Sequence, residues 1–199
     1  MANVPNSRPR MSTERLREII KTLNVDLSQH PLFLVGIRGY YLNSMGEGNK
    51  NDRGIYDDAI FIVSPNAAVS FNANTDPSVV RKGKGTGTGK GMAKLKNGLW
   101  KAHQFGKHKT YEALIQTGGQ VTVIRDGTPD YEDTGWFGIN IHRGGYNTTS
   151  SEGCQTIHPS QWDSFYALVS SEAKRLYGNT QFRKVIVPYL LIENDGSLV

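Results

Sequence analysis

The 199-residue sequence has a single cysteine, Cys154, and no long apolar run. One cysteine can close no internal disulfide and build no cysteine-rich zinc module, so Cys154 is either a small buried hydrophobe or a reactive thiol. The longest apolar stretches, Leu32 to Ile37 and Leu190 to Ile192, fall far short of the ~20 residues that a membrane-crossing helix needs. The opening MANVPNSRPRM carries basic residues but no apolar core, so no Sec-type signal peptide is expected. Hydrophobic residues make up 37% and charged ones 21%, which excludes disorder by composition.

Glycine is in excess, with 22 residues in 199 against roughly 7% in average proteins, and favours a turn-rich, strand-rich chain. Lysine and arginine outnumber aspartate and glutamate 23 to 18, a net charge of +5. Such a balance favours acidic partners: nucleic acid, anionic cell-surface polymers or an anionic membrane face. The densest basic segment, Arg81 to Lys107, spreads its lysines among glycines and does not choose between them. Within it, GKGTGTGKG over 83–91 resembles a phosphate loop but fails the P-loop pattern and the G-x-G-x-x-G pattern in every register. It reads as a flexible or substrate-edge loop.

Residues 1–11 read as a flexible arm. Ser12 is a candidate N-cap for an amphipathic helix from about Thr13 to Leu23. Strands are expected over 32–42, 59–63, 69–72, 98–106, 111–117, 120–125, 136–142 and 185–192. Thr117-Gly118-Gly119 supplies a tight turn between two of them, and Pro188 suggests that the last lies at a sheet edge. Ser160 and Asp163 form a capping pattern for a helix closed by Gly178. The simplest account is a β-rich single domain, mainly β with two helices, over 12–199.

The informative stretch is INIHRGGYNTTSSEGCQTI, residues 139–157. His142 closes a strand, and the only cysteine follows 12 residues later in Ser151-Glu152-Gly153-Cys154. A nucleophilic cysteine needs a base, something to orient that base, and amide donors for an oxyanion. A nearby imidazolium would also lower the thiol pKa. His142 with Cys154 and His158 could in principle ligate a metal, but His158-Pro159 equally suits a helix entry, and no metal or cofactor is expected. His103 and His108, five apart on one strand, fall on opposite faces, so one of them can reach a cleft.

These residues resemble the L,D-transpeptidase catalytic domain of the YkuD type, which carries a strand-end histidine, a variable loop, [S/T]-H-G-C, a short strand and a helix. The resemblance covers residues 98–192 and is nearest to phage endolysin-like members. It implies a β-sandwich or barrel in which Cys154 is the nucleophile, His142 its base and the Arg143 backbone carbonyl the orienting group. It also implies an oxyanion hole of the Gly153 and Cys154 amides, with Glu152 contributing its amide. Arg143, Ser151, Glu152 and His108 would contact substrate. Glu152 stands where the family has a second histidine, Gln155-Thr156 replaces an apolar–arginine pair, and the loop is shorter than usual.

The expected protein is a monomeric, peptidoglycan-degrading cysteine enzyme of phage endolysin type, cutting peptide stems or crosslinks through a thioacyl intermediate. Without a signal peptide, it would be made in the host cytoplasm and reach the periplasmic wall after holin-mediated release. An amine acceptor in place of water would make it a crosslinking L,D-transpeptidase. Two other classes compete: a nucleic-acid-binding β module using the lysine-rich segment with Tyr40, Tyr41, Phe71 and Trp100, and an inactive wall-binding module.

Overall fold

The apolar runs that mark the strands have two covered faces to fill. In a computed structural model, which describes residues 1–24, 26–83 and 89–198, the first strands are β1 (Phe33–Arg38), β2 (Asp58–Ser64) and β3 (Ala67–Asn74). They are followed by β4 (Ala93–Leu95), β5 (Gly98–His108), β6 (Tyr111–Gln116), β7 (Val121–Arg125) and β8 (Tyr131–Gly135). The last three are β9 (Ile141–Arg143), β10 (Gln155–Ile157) and β11 (Val187–Glu193). Helix α1 (Thr13–Thr22) precedes them, and α2 (Pro159–Tyr177) lies between β10 and β11.

Eight strands close into a barrel in the order β1-β11-β5-β6-β9-β10-β3-β2, and β4-β7-β8 form a separate three-stranded sheet. The pairs β1–β11 and β9–β10 are parallel. One face of the barrel wall packs with α2, joining Leu34, Ile60, Phe71, Ile141 and Leu191 to Trp162, Phe165 and Val169. The other face of β1, β2 and β11 is covered by α1, where Leu16, Ile19 and Ile20 meet Val35, Ile37, Phe61 and Ile192. Alternating residues of β1 thus enter different cores, which is why its sequence shows no polar alternation. The β-rich expectation with two helices holds, with the sheet closed. No helix among the described residues is long and apolar enough to cross a membrane.

Several local expectations change. Thr117-Gly118-Gly119 does not close a hairpin; it carries the chain from β6 in the barrel to β7 in the small sheet. Pro188 is not at an edge, because β11 pairs on both sides, with β1 and β5. It sits where the register shifts between Val187 and Tyr189, a bulge that spares the missing N–H. The strand expected over 136–142 shrinks to β9 because Gly138 takes a φ of 68°. Ser12 caps α1 as expected, accepting from Arg15 N at 3.1 Å. Helix α2, in contrast, is capped by the His158 side chain, which accepts from Ser160 N, rather than by Ser160.

Residues 1–11, expected as a flexible arm, run along the barrel. Ala2 N donates to the Tyr146 carbonyl, Tyr56 N to the Asn3 carbonyl, and the Tyr40 hydroxyl to the Arg10 carbonyl. Most of the glycine-rich loop, residues 84–88, lies outside the described residues.

Candidate active site

The parallel pairing of β9 with β10 places Thr156 beside His142, two residues beyond Cys154 and Asn140. Period two then puts Asn140, His142, Cys154 and Thr156 on one face, while Ile141 and Ile157 enter the core. His142 and Cys154 share the wall of a cleft of about 440 Å³, together with His108, Lys109, Gly138 and Gly153.

The His142 imidazole is held through one ring nitrogen. Its Nδ1 lies 2.7 Å from the Arg143 carbonyl, which can only accept, so Nδ1 carries the proton and Nε2 keeps its lone pair. The Tyr111 hydroxyl, 3.3 Å from the same carbonyl, braces this corner. The Arg143 side chain does not enter the cleft lining; its guanidinium lies over the Tyr111 ring at 5.1 Å.

The thiol is not engaged with His142 at rest. Sγ donates to the Gly138 carbonyl at 3.3 Å and accepts from Asn140 N at 3.4 Å. Burial pushes its pKa up to about 11, opposed by the Asn140 N–H and aided by the Glu152 charge. Burial and the neighbouring His108 imidazole push His142 down to about 4. The pair is therefore neutral near pH 7, and no imidazolium lowers the thiol pKa. This differs from the sequence expectation because both groups have lost the water that would solvate their charges.

The turn that carries Cys154 is tightly built. Ser151 is buried; its hydroxyl donates to the Cys154 carbonyl at 2.7 Å and accepts from Gly153 N at 3.0 Å. Neither the Ser151 side chain nor the Gly153 amide is therefore free for substrate, which corrects the contact and oxyanion roles expected of them. The Cys154 amide has no acceptor among the described residues. Gly153 is required by close approach, since a Cβ there would collide with the Ala93 carbonyl of β4. Glu152 is exposed at the cleft rim, paired with Arg81 at 2.9 Å.

The two β5 histidines do face opposite ways. His103 is fully buried, its Nε2 on the Ile139 carbonyl at 2.9 Å and its pKa pushed down to about 4 by burial. His108 reaches the cleft and stacks on His142, ring centroids 4.0 Å apart and planes within 6°. His158 caps α2 and packs edge-on against Tyr56 and Tyr146. Among the described residues, no group of three or more His, Cys, Asp or Glu side chains is placed to hold a metal ion.

Several supporting residues escaped the sequence reading. Gln116 Oε1 accepts from the amides of Phe137 and Ile139 at 3.1 and 2.9 Å, replacing a strand partner for that segment. Gln155 is buried below Cys154; its Oε1 accepts from the Tyr189 hydroxyl at 2.9 Å and its Nε2 donates to the Gly153 carbonyl at 3.1 Å. Tyr189 fits only because Gly36 opposite has no side chain. Gln155 standing where the resembled family has an apolar residue was the available signal. Comparison of the chain with protein-family models, with curated proteins and with solved structures found no match.

Proposed function

We propose that the chain is a cysteine acyl-transfer enzyme that cleaves peptide stems or crosslinks of peptidoglycan, in the manner of a phage endolysin. The observation that carries the acyl-transfer reading is the His142 imidazole, fixed through Nδ1 on the Arg143 carbonyl and presenting a bare Nε2 to the cleft that holds Cys154. The resemblance of INIHR and SSEGCQ to the L,D-transpeptidase pattern supplies the substrate class.

In the proposed reaction the thiol gives up its hydrogen bond to the Gly138 carbonyl and turns to His142. Cys154 Sγ attacks a stem carbonyl while His142 Nε2 takes the thiol proton, so no free thiolate is required. Collapse of the tetrahedral intermediate breaks the C–N bond, and the leaving amine takes the proton from His142. Water then attacks the thioester, with His142 again as base, and restores the thiol. None of these steps calls for a cofactor. Of the cations on the cleft wall, Arg81 pairs with Glu152 and Lys90 and Arg125 with Asp133, which leaves Lys109 as the positive charge best placed for an anionic polymer. The place of action that goes with this chemistry is the periplasmic wall, reached from the host cytoplasm after holin-mediated release.

Purified sacculi incubated with the protein and with Cys154→Ala test the proposal, with released muropeptides resolved by mass. Shortened stems or split crosslinks that vanish in the variant are expected. A gain of dimers would reassign the enzyme to transpeptidation. Unchanged muropeptides would overturn the peptidoglycan reading.

A further inference from the structure

An oxyanion needs preorganised donors aimed at it; the Gly153 N–H is spent on Ser151 Oγ, whereas the Glu152 and Cys154 amides have no acceptor among the described residues, and that of Cys154 belongs to the attacking residue itself. A side-chain donor can be identified by bonding logic. The Gln116 main-chain N–H can only donate, so the Asn140 atom 2.8 Å from it is Oδ1. The other end of that amide, Nδ2, is then a donor, and it faces His108 Nδ1 at 3.1 Å. Nδ1 of His108 therefore accepts, and the proton of the neutral ring sits on Nε2, which has no partner among the described residues. His142 has the opposite tautomer, with its proton on Nδ1. Two parallel imidazoles thus line one wall of the cleft, one offering a lone pair and the other an N–H.

We infer that His108 Nε2–H is a hydrogen-bond donor to the oxyanion formed when Cys154 attacks a substrate carbonyl. This rests on the acyl-transfer reading, though not on peptidoglycan as the substrate. As the S–C bond forms, the carbonyl π pair moves onto oxygen between the Cys154 amide and His108 Nε2–H, and the thiol proton passes to His142. His108 keeps its own proton throughout. When the pair returns and the leaving group departs, both hydrogen bonds relax. Stacking on His142 fixes the ring plane, and Asn140 fixes its rotation, so the donor is in place before substrate arrives.

Two measurements on the full chain test this. Two-bond 1H–15N NMR near pH 7 should show His108 protonated at Nε2 and His142 at Nδ1; His108 protonated at Nδ1 would overturn the assignment. Acylation of Cys154 by p-nitrophenyl acetate, read as a nitrophenolate burst that Cys154→Ala lacks, probes the oxyanion without any wall polymer. His108→Phe should keep the stack and the melting temperature yet slow the burst about 100-fold, the cost of losing one such donor. His108→Gln, whose amide nitrogen falls near the Nε2 position, should recover part of that loss. An equal burst in His108→Phe and wild type, or no burst in wild type, would overturn the inference. A His108-dependent burst with unchanged sacculi would keep it and discard only the substrate class.

Discussion

At the residue scale, burial decides the protonation of Cys154 and His142. In the proposed reaction His142, held near 4, is able to act as base over the whole range above that value, so kcat/KM should be level near neutrality and fall as the pH drops through about 4 rather than through the ordinary histidine value. The thiol raised to about 11 should react slowly with iodoacetamide at pH 7 and faster as the pH rises toward 11. Labelling that is already maximal near pH 7 would mean a thiolate–imidazolium pair instead. The same shifts bear on stability. Both His142 and His103 are neutral in the fold at pH values where an unfolded chain would protonate them. Their contribution is complete above about 6.5 and is lost as the pH falls toward 4, so urea midpoints should decline across that window.

At the element scale, the segment between β8 and β9 has no ladder partner among the described residues, and Gln116 stands in for one. All four hydrogen-bonding positions of its carboxamide are used: Oε1 by Phe137 N and Ile139 N, Nε2 by the carbonyls of Gly119 and Gly135. Gln116→Ala leaves the buried Ile139 amide without an acceptor, a cost of about 1–3 kcal/mol, read as a fall in melting temperature of about 2–4 °C per kcal/mol. Because Gln116 also holds the chain that leads into Asn140, the thiol should lose reactivity together with stability. The alternation of Phe137, Ile139 and Ile141 was legible in the sequence, and so was the inward face that it defines. What the sequence hid was the source of the hydrogen bonds, since a side-chain acceptor 21 residues away leaves no periodic trace. The candidate pair His142 and Cys154 was legible for the opposite reason: they are close in sequence, His142 on β9 and Cys154 in the turn that enters the adjacent parallel strand β10. Gln155 and Tyr189 were not, because their contact spans 34 residues and depends on the glycine at position 36.

At the scale of the whole molecule, the N-terminal arm works as a strap across the barrel. It bonds to Tyr146 in the loop that leads to Cys154 and to Tyr56 beside it, and Arg8 lies over Phe71 at 4.8 Å. Deleting residues 2–10 should destabilise the fold by several kcal/mol, at about 0.5–1.5 kcal/mol for each hydrogen bond that the arm makes to Tyr40, Tyr41, Tyr56, Ser70, Asn72 and Tyr146. Limited proteolysis should then cut first in the loop after β9; an unchanged cleavage pattern would show that the arm carries no load. The eight-strand closure was not readable from strand count alone, because barrel and sandwich share the same strand patterns and differ only in whether β1 finds a second neighbour.

That second neighbour is β11, the last strand to be made. A nascent chain can pair β1 with β2 early, yet it cannot shut the cylinder until residues 187–193 have left the ribosome, and such long-range pairing is slow to form. The same strand delivers Tyr189, the prop beneath Gln155 and the turn that carries Cys154. Synthesis order therefore separates the two: a growing chain holds Gln155 34 residues before it holds the tyrosine that props the turn.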